Sequence, residues 1–459
     1  MARVVMIGAG LAGMATALFA ARRGHQVSVL ERDQDPPPAE LDDCFSKWRR
    51  PGVGHAKHTH VFLTRSTQIL EAEAPEVLDA LFAAGAHAGT MRLPPGLPAP
   101  ELRAVNCRRS TYETIVRRAL EASSVDLRLG ARVAGLLADG GEPPQVRGVR
   151  LESGEEIPAD LVVDASGRRS YAPRWLEAIG SRPLSEERHD CGFFYQTRWY
   201  RLRPGESFPG GPLTIINGTS CGAVILSAAE DDLFSASLML SNDDPLRHAF
   251  RDPALFDAVV GGLPALAPWI SRGEGLTEPV PFGPIENRRR RLVSDGAPIV
   301  GGFALVGDAA LHTNPTLGRG TSMGFMHAQG LAQRLEGGFG PDWVAGFDAW
   351  TADALHTWFD SQVQSDAATG ARYRAMALGL PMPETTPAER MMPALFALAA
   401  EDPMVGAMVG CMQHVLITPA EVMSDAALVR RVAAKAAAMA NAEAAPGLSR
   451  SQVEALVAA

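Results

Sequence analysis

The sequence predicts an α/β protein in which a doubly wound parallel-sheet domain is interrupted by an antiparallel-sheet domain and followed by a helical C-terminal region. Three observations predict it. Arg3 to Ile7, Leu11 to Arg23 and Val27 to Leu30 read as strand, helix and strand, with a glycine-rich turn between the first two. Between Gly180 and Arg290 the pattern changes to alternating aromatic and polar stretches. Ile299 to Val306 and Gly320 to Leu335 then return to an apolar strand and a helix, so the first domain is left and later completed. The implied boundaries are 1–178 and 294–345 for the two parts of the first domain, 179–293 for the insertion and 346–459 for the helices.

Taken in order, the first two strands are joined by one helix, which makes them parallel neighbours. Asp33 to Asp43 is rich in Pro and acid and reads as a surface excursion, and Ser66 to Ala84 as helix. The proline-rich stretch Leu93 to Pro100 reads as a loop carrying a small antiparallel insertion. Thr111 to Ala122 is expected as helix, and Val125 to Leu129, Gln145 to Leu151 and Glu156 to Asp164 as strands. In the insertion, His189 to Leu202, Leu213 to Ile216 and Ala223 to Leu226 are the expected strands, the best candidate for a substrate domain. Phe347 to Ala459 is Ala- and Met-rich helix, whose Met391, Met392, Met404, Met408 and Met412 suit core filling, an adaptable pocket or a dimer surface.

Bulk properties exclude several classes. A chain of 459 residues with 46% hydrophobic and 21% charged residues can bury a large core. A net charge of -9 disfavours nucleic acid and anionic membranes as partners. No uninterrupted apolar run is long enough for a membrane span, so no stable membrane insertion is expected. Five scattered cysteines without a C-x-x-C pair point to a reducing cytoplasm.

Gly8-Ala9-Gly10-Leu11-Ala12-Gly13 is a G-x-G-x-x-G pattern placed after a strand and opening a helix, the context that a Rossmann-like dinucleotide site requires. Gly8 permits the tight turn, Gly10 lets the backbone approach a pyrophosphate and Gly13 lets helix and strand pack. The helix start offers unpaired N–H groups to the phosphates. Glu31, closing the second strand, can accept from ribose hydroxyls, which favours FAD or NAD over NADP; the adjacent Arg32 joins the cofactor-binding candidates.

A second glycine-rich segment separates FAD from NAD. Ala304-Leu305-Val306-Gly307-Asp308-Ala309-Ala310, followed by Asn314-Pro315 and Gly318-Arg319-Gly320-Thr321-Ser322-Met323, resembles the second FAD fingerprint of the p-hydroxybenzoate-hydroxylase-like, or group A, flavoprotein monooxygenases. The resemblance implies a Rossmann-like FAD-binding domain. It puts the ribityl contact on Asp308, beside Gly307, and the ring contacts on Pro315, Gly318 and Gly320, with Thr321 and Ser322 at the helix start. Arg50-Pro51-Gly52-Val53 looks like the family element that sets an arginine beside the pyrophosphate. Arg109, ahead of Glu113 and Arg117, resembles a further FAD-reaching arginine, and Val133 falls where a backbone contact to adenine is usual. Two departures stand out. Asp164-Ala165-Ser166-Gly167-Arg168-Arg169-Ser170 is closer to geranylgeranyl reductases, flavin halogenases and polyether epoxidases, and Gly54-His55 stands where relatives more often have Pro-Gln.

The implied activity is insertion of one oxygen atom of O2 into a small, largely apolar substrate through a flavin C4a-hydroperoxide, as a hydroxylase or epoxidase. NAD(P)H, or reduced flavin from a separate partner reductase, is the implied electron source. Arg50, His55 and Pro315 are the candidates for lining the flavin as catalytic residues. No metal is expected: His55, His58 and His60, with Cys44 upstream, read as site and packing residues. The run Arg288 to Arg291 reads as a solvated strand end pairing with acids. Phe193, Phe194, Tyr195, Trp199 and Tyr200 are expected on the sheet face under the flavin, with core packing accounting for most of them and only some able to touch substrate. Two alternatives remain, a carbon–carbon double-bond reductase or dehydrogenase on the same scaffold and a non-catalytic flavoprotein.

Overall fold

The computed structural model describes residues 1–340, 342–439 and 448–458. Its centre is a five-stranded sheet with only parallel pairings, in the order Phe303–Leu305, Leu161–Asp164, Arg3–Ile7, Gln26–Glu31 and Asp126–Leu129. Both faces are covered, which is why Arg3–Ile7 and Leu161–Asp164 are continuous apolar runs rather than alternating ones. The helices Leu11–Arg22 and Gly320–Leu335 pack on one face through Ala17, Leu18, Phe325 and Ala328. The other face meets Leu136, Val146, Val149 and Trp175.

Several expected elements change where glycine or proline intervenes. The helix expected over Ser66 to Ala84 is two, Thr64–Glu73 and Pro75–Ala83, because Pro75 has no N–H to continue the first and its fixed φ starts the second. Glu156 to Asp164 splits into Glu156–Pro158 and Leu161–Asp164, which join different sheets. Ile299 to Val306 shortens to Phe303–Leu305: Gly302 takes φ of +66°, and a Cβ there would collide with the Val146 carbonyl oxygen. Val133–Asp139, for which the sequence pattern carried no expectation, forms a hairpin with Gln145–Leu151. Leu93 to Pro100 is the loop between the hairpin strands His87–Arg92 and Glu101–Asn106.

The insertion is built on an antiparallel sheet in which Phe193–Leu202 lies beside Leu233–Ser241, followed outward by Gly222–Ala228 and Thr214–Gly218. The stretch His189 to Leu202 is broken at Gly192, and Ser185–Asp190 pairs instead with Glu286–Arg291. The five aromatics do not share one face. Strand side chains alternate, so Tyr195 packs with Phe193 and Phe282, while Tyr200 points into a separate core with Phe234 and Trp269. Arg289, Arg290 and Arg291 pair with Glu187, Glu186 and Asp348 at 2.5 Å each, and Arg288 pairs with Glu286. The pairing with acids holds, but the strand is not a solvated end, since Arg290 is buried.

The C-terminal helices Pro387–Ala399, Pro403–Gln413 and Ala426–Ala438 close over the second core, where Met412 is buried and Met391, Met392 and Met408 pack as filler. Met404 is exposed. No helix among the described residues is long and apolar enough to cross a membrane.

Candidate active site

The first glycine turn is shaped by contact. Gly8 has φ of +102°, and a Cβ on it would lie 2.8 Å from the Ala165 carbonyl oxygen. A Cβ on Gly13 would collide with the Gly8 carbonyl oxygen, so helix and strand approach as the spacing predicts. Gly10 faces open space, and the helix it caps has no side chain on its first N–H groups. Glu31 is buried and fixed by two backbone donors, Ala9 N–H to Oε2 at 2.9 Å and Asp33 N–H to Oε1 at 3.0 Å.

Arg50 lies against this turn. Its guanidinium pairs with Asp33 and Glu113 at 2.7 Å each, and its Nη2 donates to the Ala9 carbonyl at 3.2 Å. Arg109 donates to Glu113 at 3.1 Å from the other side. Burial acts to raise the Glu113 pKa, yet the two guanidiniums hold it below the ordinary carboxylate value. For Asp33 burial and the neighbouring Glu31 win, and its pKa is raised. Arg117 pairs with Glu121 at 2.9 Å and lies outside the cavity lining.

The second glycine turn meets the first. Ala12 Cβ would lie 2.7 Å from a Cβ on Gly307 and 3.1 Å from one on Gly324, so the two helix starts converge at one place. Asn314 caps the short turn Pro315–Leu317, and Gly318 closes it with φ of +66°. Gly320, like Gly10, faces open space. The Ser322 side chain is buried with an unpartnered hydroxyl outside the cavity lining, because the helix turns it toward the core.

A cavity of about 1030 Å³ joins both turns. Val133, Arg32 and Glu31 line it, as do Arg50, His55, Arg109, Asp308, Pro315 and Thr321. Beyond Pro315 it is walled by Tyr195, Ile225, Ser237, Phe282 and His58. Imidazoles dominate this end. Burial pushes His58 down to about 4 and His60 down to about 3, and burial with the Arg109 cation takes His55 well below its usual value. His55 Nε2 sits 3.3 Å from Arg109 Nη1, and His58 Nδ1 sits 2.7 Å from Thr197 Oγ1, so the rings serve different partners. No three His, Cys, Asp or Glu among the described residues are grouped to hold a metal.

These residues fit an FAD. Glycines without a Cβ open two uncapped helix starts to a single elongated cavity, and a fixed acceptor stands where a ribose would bind. A family model for FAD dependent oxidoreductases matches residues 3–101. Over that segment the chain is similar to FAD dependent oxidoreductases. The chain is similar to protein Rv3254 of Mycobacterium tuberculosis, 27% identical over 72% of each chain. It is also similar to violacein synthase of Chromobacterium violaceum, 24% identical over 73% of this chain and 78% of that one. A digeranylgeranylglycerophospholipid reductase of Methanococcoides burtonii is 24% identical over 70% of each. Among solved structures, the flavin-dependent brominase Bmp2 shares the fold with a TM-score of 0.59 at 17% identity, covering 93% of this chain and 96% of that one. A 2-methyl-3-hydroxypyridine-5-carboxylic acid oxygenase shares it with a TM-score of 0.55 at 15% identity, covering 83% and 98%.

Two residues that support the candidate site, Asp366 and Asn287, were beyond sequence reasoning, and Asn314 was legible only as the neighbour of Pro315. Asp366 and Asn287 hydrogen-bond to Asn314 and to each other beside Pro315 but stand far apart in the chain and outside any motif. Glu113 carried one signal, its i, i+4 spacing from Arg109.

Proposed function

We propose that the protein is an FAD-dependent monooxygenase that inserts one oxygen atom of O2 into a small, largely apolar organic substrate. The observation that supports this most is the single cavity in which the two glycine turns open onto a chamber walled by Phe282, Ile225 and Tyr195. The chemistry that FAD supplies there is two-electron reduction of O2, with one oxygen atom going to substrate and the other leaving as water. The chain's own part is to bind and to exclude water. Gly10 and Gly320 expose backbone N–H groups to the nucleotide, Glu31 takes its ribose, and Asp308 stands where a hydroxylated chain can donate to it. Arg50 belongs with the nucleotide grip, locked by Asp33 and Glu113 against the first turn.

His55 and His58 stay neutral near pH 7 and present hydrogen-bonding nitrogens to the chamber without placing a cation there. Pro315 and the turn behind it hold the wall of the chamber. Electrons come from NAD(P)H or from a separate flavin reductase, since the sequence has no second G-x-G-x-x-G. Five free, buried cysteines suit a reducing cytoplasm.

The test is oxygen uptake by the FAD-loaded enzyme, with mass spectrometry of products formed from an extract of apolar aromatic and alkene metabolites. Uptake coupled to a product one oxygen heavier is expected. A product two hydrogens heavier without oxygen uptake would replace this reading with that of a double-bond reductase; the Methanococcoides burtonii relative is named a reductase.

A further inference from the structure

The helix Thr357–Leu378 lies outside both glycine fingerprints, yet its Asp366 carboxylate is buried behind the cavity wall, joined through Asn314 to Tyr195. Asp366 is 4% exposed. Its Oδ2 accepts from Asn287 Nδ2 at 2.8 Å, and its Oδ1 accepts from Asn314 Nδ2 at 2.9 Å and Gln362 Nε2 at 2.8 Å. Burial pushes its pKa above the ordinary carboxylate value, and the amide donors pull it back.

The main chain fixes which way these amides face. Asn287 Oδ1 accepts from the Asn314 backbone N–H at 2.7 Å. Asn314 Oδ1 accepts from the Tyr195 hydroxyl at 2.6 Å and from the Thr316 backbone N–H at 3.4 Å. A backbone N–H can only donate, so each amide oxygen must face it and each NH2 group must face Asp366. Only an acceptor satisfies position 366. From there the order runs outward: the Tyr195 hydroxyl also lies 2.6 Å from Thr316 Oγ1, and Tyr195, Pro315 and Thr316 all line the cavity.

We propose that Asp366 is a positioning residue for the flavin ring: its carboxylate sets the orientation of Asn287 and Asn314, which hold the Asn314–Gly318 turn and the Tyr195 hydroxyl in place. The helix Thr357–Leu378 is therefore part of the site's support. The inference rests on the FAD reading, and the two fail differently. If the wild-type apoprotein takes up no FAD, that reading falls and this proposal with it, whereas failure of the proposal alone leaves wild-type binding intact.

Asp366→Asn keeps the shape but brings an NH2 group against donors, so one amide must turn and leave a backbone N–H unmet. Fluorescence titration should show FAD affinity weakened about ten- to a hundredfold, the size expected for one lost hydrogen bond to a charged group. The FAD-saturated variant should also show altered visible circular dichroism. Tyr195→Phe, which cuts the network at its far end, should alter the same spectrum with a smaller loss of affinity. Gln362→Ala removes a donor but leaves both asparagines in place, and its spectrum should match the wild type. A saturated D366N whose visible circular dichroism superimposes on the wild type overturns the proposal, even if its melting temperature falls, because the role is then only structural. Where D366N gives no folded protein, an unchanged Y195F spectrum overturns it equally.

Discussion

The two ends of the cavity are built in opposite ways. The nucleotide end is made largely of backbone: one short turn, Gly8 to Gly13, opens a helix, and Glu31 and the Arg50–Glu113–Arg109 cluster hold it with charge. The proposed ring and substrate end is made of side chains from distant segments: His58, Tyr195 and Phe282 line it, Asn314 and Asp366 stand behind Tyr195, and burial depresses the pKa of His58. Charge at the nucleotide end is held in buried ion pairs, whereas the Asp366 carboxylate behind the other end is held by neutral amide donors.

The sharpest way to break this contrast is Gly13→Val. Its side chain would enter the space held by the Gly8 carbonyl, so loss of FAD binding and a destabilisation of about 3 kcal/mol or more are expected in a melting experiment. Next in size is Arg50→Met, which leaves Asp33 and Glu113 without that partner in a buried place. A loss of about 3 to 5 kcal/mol, read by urea denaturation, is expected for a broken buried pair.

The ring end should answer to pH instead. Depressed histidine pKa values mean that the folded state refuses protons the unfolded chain accepts. Their contribution to stability is full above about 6.5 and is lost as pH falls toward about 4, the folded value of His58. Melting temperatures measured from pH 7 to pH 4 should fall, and His58→Phe should make the fall shallower. Opposite behaviour, a steeper fall in the variant, would remove His58 from this account. The smallest effect expected is Gly52→Ala. Its new Cβ meets only the tip of the flexible Arg32 side chain at 2.9 Å, and FAD affinity should change by no more than about threefold, or roughly 0.6 kcal/mol.

The same contrast explains what could be read from the chain alone. The nucleotide end was legible because its physics is local: a strand, three glycines at fixed spacing and a helix lie within about two dozen residues, and Gly307 to Gly320 repeats the device. Arg50 was placed near the pyrophosphate by resemblance, but the buried acids that clamp it come from Asp33 and from a helix beginning at Arg109. The aromatic run in Phe193–Leu202 misled because adjacent strand residues point to opposite faces. The helix start aims Thr321 at the cavity and turns the Ser322 side chain away, a distinction the motif does not carry. Asp366 was invisible, as its partners Asn287 and Asn314 are defined by the fold and not by spacing.

The central sheet also constrains how the molecule comes into being. Its order places Phe303–Leu305 beside Leu161–Asp164, so one edge strand is supplied only after the whole insertion has been made. During synthesis the first glycine turn must wait, incomplete, while about three hundred residues emerge behind it. A cofactor loaded at the ribosome would therefore arrive late, after the helix Gly320–Leu335 has left the exit tunnel.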